Sequence, residues 1–135
     1  VLVGPASVSL LKMKFPKRRQ EVATEFGYPM YAEGLRRAIE FLAPLNVPIE
    51  ITENGVADAE DTLRTEHLRR HLWVLSNAVK DGHDVRSYHH WSLMDNFEWA
   101  EGYSMRFGLH RVDFESQERT LRPSGEVYKA IVGRR

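Results

Sequence analysis

The segment IEITENG, residues 49–55, decides the fold of this chain. Isoleucines alternate with polar residues at its start, which predicts a strand over Ile49–Thr52, and Asn54-Gly55 supplies the turn that ends it. A second strand is predicted over Val85–Ser92, where β-branched and aromatic residues are too frequent for a loop. The segment between the strands has helical periodicity. Strands that alternate with helices of this length predict βα units and a parallel sheet.

Two helices flank the first strand. The crossover helix is predicted from about Thr62 to Lys80, with Gly82 just past its end. The preceding helix has to stop before Pro44, because the residue before a proline is disfavoured in a helix. The apolar residues at helical spacing are Leu68, Leu72, Leu75 and Val79 in the crossover helix and Leu35, Ala38, Ile39 and Leu42 in the preceding one.

The C-terminal residues predict a hairpin and a final helix. Leu109–Phe114 and Arg119–Arg122 are expected to pair as short strands, with polar residues between them. Pro123-Ser124 is typical of a helix start. The side chains expected to face inward from this helix are Val127, Ala130 and Ile131.

Composition indicates one folded domain and argues against several functions. The 135 residues are 42% hydrophobic and 28% charged, with 19 basic and 19 acidic side chains, which excludes a long disordered chain. The zero net charge argues against nucleic-acid binding, because phosphate recognition normally needs a clustered basic excess. The basic run Lys12–Arg19 is interrupted by Pro16 and is interpreted as a solvated loop. No segment approaches the roughly 20 apolar residues of a membrane span.

Cysteine is absent, which excludes disulfides and thiolate metal sites and favours a cytoplasmic location. The start at Val1–Gly4 shows no signal-peptide pattern. Residues 1–24 have little periodicity and are expected to be a poorly defined loop region. Residues 1–135 are expected to form a single, partial domain, because two strands are too few for an independent parallel sheet.

Glu53 is the first candidate catalytic residue. It follows the predicted strand directly and precedes the turn. In a (β/α) barrel the catalytic groups lie at the C-terminal ends of the strands, so a carboxylate at this position is placed for chemistry. The alternative is a turn acid that only accepts hydrogen bonds from backbone amides.

The segment WSLMDNFEW, residues 91–99, begins at the end of the second strand and is therefore expected on the same rim as Glu53. A sugar site needs flat aromatic faces for the C–H side of the ring and carboxylates or amides for its hydroxyls. Trp91 and Trp99 offer the first, while Glu98 and Asn96 offer the second. The alternative is that these aromatic side chains only plug the mouth of a barrel.

His89 and His90 raise the question of a metal site. Neighbouring residues in a strand point to opposite faces, so both cannot bind one ion. We expect no histidine pair on a helix and no cysteine ligand, and therefore no metal site. His89 is expected in the barrel interior or on a sheet face.

Four segments together resemble glycoside hydrolase family one, whose members include β-glucosidases, β-galactosidases and broad-specificity β-glycosidases. The resemblance runs from about Glu25 to Val132. Family members usually have Trp at the position of Tyr28 and Pro at that of Ala32. The segments are ITENG (51–55), WSLMDNFEW (91–99), GYSMRFGL (102–109) and GYPMYAEGL (27–35).

The resemblance implies a role for each matching residue. Glu53 is similar to the catalytic nucleophile on the seventh barrel strand. Trp91 matches the residue under the sugar at the cleaved position, Glu98 the carboxylate that binds the outer hydroxyls of that sugar, and Trp99 the indole beside it. Two further aromatic contacts are implied, one near the sugar-binding end of the pocket and one on the aglycone side: Phe107 and Tyr28.

The fold implied by the resemblance is α/β, the C-terminal part of a (β/α)8 TIM barrel comprising about the last two βα units and the preceding helix. It is incomplete on its own, because such a barrel typically needs about 250 residues. The implied reaction is retaining hydrolysis of a terminal β-glucoside or β-galactoside without cofactor or metal, in which a second carboxyl group acts as acid and base. The family carries that group in a Thr-x-Asn-Glu-Pro segment, and no Asn-Glu-Pro occurs in this chain.

The missing carboxyl group sets the remaining expectations. The isolated chain is expected to be inactive, and its partners are expected to be a small carbohydrate together with the missing N-terminal barrel portion or another copy of the chain. No nucleic-acid or membrane partner is expected. The alternatives are a non-catalytic sugar-binding remnant and a truncated fragment without a function.

Overall fold

The computed structural model describes residues 22–133. The expected loop region 1–24 lies mostly outside them, and the basic run Lys12–Arg19 lies wholly outside. No helix within the described residues is long and apolar enough to cross a bilayer. In chain order the elements are α1 (Ala32–Leu42), β1 (Ile49–Asn54), α2 (Arg64–Lys80), β2 (Val85–His90), β3 (His110–Val112), β4 (Arg119–Leu121) and α3 (Pro123–Val132), with short 3-10 turns at Ala43–Leu45 and Trp99–Glu101.

The two longer strands, β1 and β2, pair in parallel, and α2 connects them. This confirms the parallel βα arrangement predicted from the alternation of strands and helices. The strands β3 and β4 form the predicted antiparallel hairpin. Residues 22–133 contain only these two two-stranded sheets and no closed barrel.

The strand ends differ from the prediction. β1 continues to Asn54 rather than ending at Thr52, so Glu53 lies within the strand. β2 ends at His90 rather than at Ser92. Its end is set by hydrogen bonding: the N–H of Ser92 leaves the sheet and donates to the carbonyl of Phe107 at 3.2 Å.

The apolar core lies between the parallel sheet and the helices α1 and α2. Complete burial of an aliphatic side chain contributes about 1.5–3 kcal/mol each, so this layer fixes both helices on one face of the sheet. The buried members are Ile39, Ile49 and Ala78, and the partly buried ones are Leu35, Ile51, Leu75 and Val85.

The N-terminus of helix α2 is capped by Asp58, which lies six residues before the first residue of the helix. The carboxylate of Asp58 accepts hydrogen bonds from the N–H groups of Leu63 at 2.7 Å and Arg64 at 2.9 Å. These donors have no partner within the helix, so the carboxylate fixes where α2 begins. The helix ends at Lys80, and Gly82 follows with a φ of 94°, a conformation that favours glycine.

The predicted buried face of α2 is partly wrong. Leu68 is buried, Leu72 and Leu75 are half-buried, and Val79 is 48% exposed. The periodicity of apolar residues missed the true face because half of it is polar and is buried through ion pairs and ring stacking. The buried residues are Arg64, His67, Leu68, His71, Val74 and Ala78.

The expected inward faces of α1 and α3 also need correction. In α1 only Ile39 is buried, while Ala38 and Leu42 are exposed. In α3 Val127 is half-buried, and Ala130 and Ile131 are exposed. The first turn of α3 is what packs: Ser124 and Gly125 are buried, and a Cβ on Gly125 would lie 2.3 Å from a methyl group of Leu121.

Candidate active site

The carboxyl ends of β1 and β2 are held together by backbone contacts. The N–H of Trp91 donates to the carbonyl of Asn54 at 3.0 Å. A Cβ on Gly55 would lie 1.6 Å from the carbonyl oxygen of Trp91, so only glycine permits this approach. The segment that carries Glu53 and the segment that begins at Trp91 therefore meet at one end of the parallel pair, as the sequence predicted.

Glu53 is exposed at this end of β1. Among the described residues its carboxylate takes part in no hydrogen bond or ion pair. The alternative of a turn acid that satisfies backbone amides therefore has no support in the structure. A carboxylate that is accessible and unpaired is able to act as a nucleophile or a base.

Trp91 and Glu98 come into direct contact. The indole Nε1–H of Trp91 donates to Oε2 of Glu98 at 3.4 Å, and both residues are half-buried. Trp99 is separate from this pair: it is 81% exposed, begins a 3-10 turn, and its ring stacks on no aromatic side chain in the described part of the chain. Of the four residues of this segment predicted to contact a sugar, the structure thus brings together Trp91 and Glu98, while the Asn96 amide donates to the Ser92 hydroxyl and to the carbonyl of Met94.

Tyr28 and Phe107 lie at a separate cavity of about 170 Å³. Phe26 bridges them, with its ring centroid 5.1 Å from that of Tyr28 and 6.0 Å from that of Phe107. Asn54 also lines the cavity, and the Tyr88 hydroxyl donates to its Oδ1 at 3.0 Å. The cavity therefore adjoins the carboxyl end of β1, next to the strand position of the candidate nucleophile.

Asp95 is a residue that the sequence reasoning missed. Its side chain is completely buried in the middle of the Trp91–Trp99 segment and forms a two-pronged ion pair with Arg122, at 3.0 and 3.1 Å. It also accepts hydrogen bonds from the N–H groups of Gly108 at 2.9 Å and Val112 at 3.3 Å. A carboxylate inside an aromatic block was the available signal, since burial of that charge requires a cationic partner.

A second buried ion pair, also missed, connects the helices. Arg64 is fully buried and pairs with Asp61, whose carboxylate accepts the N–H and the hydroxyl of Ser124 at 2.9 and 2.6 Å. Another N–H of Arg64 donates to the carbonyl of Arg106 at 2.8 Å. The pair therefore joins α2, α3 and the loop that follows the aromatic segment.

The expectation of no helical histidine pair is wrong. His67 and His71 lie one turn apart in α2 with stacked rings, 3.8 Å between centroids. The structure brings no three metal-binding side chains together anywhere in residues 22–133. His89 is exposed on a face of the sheet, whereas both ring nitrogens of His90 are buried without a hydrogen-bond partner among the described residues, as is Nδ1 of His67.

Burial controls the charge of these rings. It lowers the pKa of His67 to about 3, assisted by His71, His90 and the nearby guanidinium of Arg64. It lowers the pKa of His90 to about 4, again assisted by Arg64. Both imidazoles are therefore neutral at physiological pH and act as aromatic packing groups.

Comparison with known proteins gives a consistent family match. The family model described as "Glycosyl hydrolase family 1" matches residues 6–135. The β-galactosidase of Pyrococcus woesei is 40% identical over 110 residues, which is 81% of this chain and 22% of that protein. The β-glucosidase of an Agrobacterium species is 40% identical over 121 residues, or 82% of this chain and 26% of its relative.

Solved structures agree in fold. The hyperthermophilic β-glucosidase from Pyrococcus furiosus matches with a TM-score of 0.80 and 51% identity, covering 82% of this chain and 24% of that one. The β-glucosidase from Thermotoga maritima matches with a TM-score of 0.81 and 34% identity, covering 87% and 29%. The chain thus spans about a quarter of the length of the proteins it matches.

Proposed function

Because the chain belongs to glycosyl hydrolase family 1, we propose that the protein that carries it hydrolyses terminal β-linked glycosides with retention of configuration. In this proposal Glu53 is the nucleophile. The strands β1 and β2 are the last two of a (β/α)8 barrel, and α1 is the helix before them. The other strands belong to the remaining three quarters of a protein as long as the relatives.

One observation carries the proposal: the unpaired carboxylate of Glu53 and the Trp91–Glu98 pair share the carboxyl end of the two parallel strands. This is the end at which (β/α) barrels carry their catalytic groups. An indole face can cover the apolar side of a sugar ring, and a carboxylate can accept its hydroxyls. A nucleophile and a sugar-binding pair at one rim are two of the parts that a retaining glycosidase needs.

The chemical roles follow from these groups. Glu53 attacks the anomeric carbon, the bond to the leaving oxygen breaks, and the sugar becomes an ester of the carboxylate that water later hydrolyses. Trp91 occupies Oε2 of Glu98, which leaves Oε1 to accept a sugar hydroxyl. Trp99 lies beside the same sugar, Phe107 lines the sugar-binding end of the pocket, and Tyr28 contacts the aglycone.

None of the residues named so far supplies the acid and base of the reaction. A retaining enzyme needs a second carboxyl group about 5–5.5 Å from the nucleophile, to protonate the leaving oxygen and then activate water. The sequence contains no Asn-Glu-Pro segment, and Glu98 is assigned to hydroxyl binding. We therefore propose that another part of the barrel supplies this group. The substrates proposed are β-glucosides and β-galactosides, the classes named by the β-glucosidases and β-galactosidases among the relatives.

The test is covalent trapping in the protein that carries this chain. A 2-fluoro β-glucoside with a good leaving group forms the glycosyl ester quickly and loses it slowly, so intact mass rises by one fluorosugar and peptide mapping locates the ester. We expect the label on Glu53 and complete loss of labelling in Glu53→Gln. The control is Glu50→Gln, an exposed glutamate on the same strand, which should label normally.

Two results would overturn the proposal. A label on any residue other than Glu53 would exclude it as the nucleophile. Saturable glucose binding by the wild-type protein, with neither labelling nor turnover, would instead establish the non-catalytic sugar-binding alternative.

A further inference from the structure

We propose that Asp95 is a positioning residue for Glu98: it fixes the turn that presents the Glu98 carboxylate to the sugar. The inference rests on the proposed sugar-binding role of Glu98. In the segment 91–99 the buried Asp95 carboxylate accepts hydrogen bonds from Arg122, Gly108 and Val112, whereas the Glu98 carboxylate accepts one, from Trp91. The carboxylate that would bind the sugar thus takes its position from a neighbour.

Positively charged and N–H groups from three separate parts of the chain meet at the carboxylate of Asp95. Arg122, from the end of the hairpin, supplies two N–H donors. Gly108 and Val112 supply backbone N–H groups from the stretch before and within β3. Arg106 adds a second positive charge with its Nη1 at 3.7 Å. Two-pronged pairs of this kind fix orientation as well as distance.

The segment around Asp95 is pinned by its backbone as well. The N–H of Asp95 donates to the carbonyl of His110 at 3.1 Å, and the carbonyl of Ser92 accepts from Leu109 at 2.9 Å. The Asn96 amide donates to the Ser92 hydroxyl at 3.0 Å. A Cβ on Gly108 would lie 2.2 Å from the backbone nitrogen of Asp95, so these two backbones are in direct contact.

A second path connects Asp95 to the far side of the turn. The guanidinium of Arg106 lies 4.5 Å from the centroid of the Phe114 ring. Phe114 packs on Tyr103 at 4.5 Å, and Tyr103 packs edge-on against Phe97 at 5.5 Å. The residue before Glu98 is therefore fixed through the same carboxylate.

Glu98 itself has three hydrogen bonds within the described residues. Its N–H donates to the carbonyl of Gly102 at 2.6 Å and its carbonyl accepts from the N–H of Glu101 at 2.9 Å, which closes the turn, and its side chain accepts the indole N–H of Trp91 at 3.4 Å. None of these contacts joins the turn to the hairpin. If the Asp95 anchor is lost, the turn is free to shift, and misplacement of a sugar-binding group by about 1 Å can cost on the order of 100-fold in rate.

The experiment is a double-mutant cycle in the protein that carries this chain, with Asp95→Asn, Glu98→Gln and the double variant. Asparagine keeps the shape but removes the charge that Arg122 and Arg106 require. We expect Asp95→Asn to lower kcat/KM for an aryl β-glucoside by at least about tenfold and to change the ratio of β-glucoside to β-galactoside activity. In the Glu98→Gln background the same substitution should have almost no further effect, because both act through one contact.

The matched control is Asp61→Asn, which breaks the other buried ion pair and destabilises the fold without touching the turn. Its glucoside-to-galactoside ratio should equal that of the wild type. Effects of Asp95→Asn and Glu98→Gln that simply multiply, or an equal change of the ratio in Asp61→Asn, would overturn the proposal.

Amide hydrogen exchange separates this proposal from the proposed function. Exchange of the Glu98 amide should be at least about tenfold faster in Asp95→Asn than in Asp61→Asn without any sugar present. A wild-type protein with no glycosidase activity would refute the proposed function, and the exchange rates would still decide whether Asp95 orders the turn. Equal exchange in the two variants would refute the positioning role even in an active enzyme.

Discussion

Acidification should destabilise this fold well above the pH at which carboxylates titrate. The rings of His67 and His90 are buried, and burial lowers the pKa of the first to about 3 and of the second to about 4, from an ordinary value of 6.5. Below pH 6.5 these two histidines bind protons in the unfolded chain but stay neutral in the folded chain. The free energy of unfolding therefore has its full value above pH 6.5 and falls with decreasing pH until the pKa values of the folded state are reached.

The surroundings of the two rings make protonation unfavourable. Arg64 lowers the pKa of both, and an imidazolium at His90 would repel one at His67. At His90 the backbone carbonyl of Phe107 and then the carboxylate of Asp61 oppose the lowering, but burial and Arg64 outweigh them. The ring of Tyr128 packs on His90 at 5.9 Å and offers no charge. Neither ring nitrogen of His90 has a hydrogen bond of normal geometry within the described residues, so the nearby carbonyl of Phe107 offsets only part of the cost of protonating the ring.

The magnitude follows from linkage. Each unit of pH across the window costs about 1.4 kcal/mol per histidine. From pH 7 to pH 5 this amounts to about 2 kcal/mol for each ring, or about 4 kcal/mol together, compared with a typical stability of about 5–15 kcal/mol. The exposed carboxyls of Asp84 and Asp113, whose pKa values their hydrogen-bond donors lower below 3.8, titrate beneath this window.

The assay is urea unfolding of the protein that carries this chain at pH 7 and pH 5. The variant is His90→Phe, which keeps an aromatic ring against Tyr128 and removes two unsatisfied nitrogens. It should reduce the loss of unfolding free energy between the two pH values by about 2 kcal/mol. The control is His89→Phe, at the exposed neighbouring position, which should leave the loss unchanged. An undiminished loss in His90→Phe, or an equal reduction in His89→Phe, would refute this account.

Three further predictions concern the packing around the candidate site. Arg122→Ala leaves the buried charge of Asp95 without its main partner and should lower the free energy of unfolding by about 3–5 kcal/mol, measured by urea unfolding; a change below about 1 kcal/mol would contradict the pairing. Gly55→Ala places a methyl group on the carbonyl of Trp91 and should abolish the contact between the strand ends, seen as loss of glycosidase activity together with a lowered Tm. Trp99→Ala should change the free energy of unfolding by no more than about 0.5 kcal/mol, because the ring is 81% exposed, while KM for an aryl β-glucoside rises; an unchanged KM would remove Trp99 from the sugar site.

The sequence was sufficient where one local signal decides the structure. Alternating isoleucines predicted β1, Pro44 predicted the end of α1, and the polar residues before Arg119 predicted the hairpin, all of which the structure confirms. Each of these signals depends on neighbours within a few residues. The juxtaposition of Glu53 with Trp91 was predictable too, because it needs only that two parallel strands end at the same edge of a sheet.

The errors share a physical cause. Apolar periodicity placed the buried face of α2 on its leucines and Val79, yet of these only Leu68 is buried, and Arg64, His67 and His71 share the buried face with it. Burial of such groups depends on partners elsewhere in the chain, as Asp61 is for Arg64. The pairing of Asp95 with Arg122 spans 27 residues and leaves no periodic trace in the sequence. Residue propensity and spacing carry no information about buried ion pairs between distant parts of the chain.

The dependence of the site on distant buried charges determines how it tolerates substitutions. The groups that would meet the sugar lie in short segments whose types can be recognised one by one, but their positions depend on buried charges from other elements. A substitution at Arg122 touches no sugar, yet it leaves Asp95 charged in a site that excludes water, and the least costly relief is for the segment to move toward solvent. That segment carries Trp91 at one end and Glu98 near the other. Stability and sugar recognition are therefore coupled through one carboxylate, and variants of its partners should lose both together.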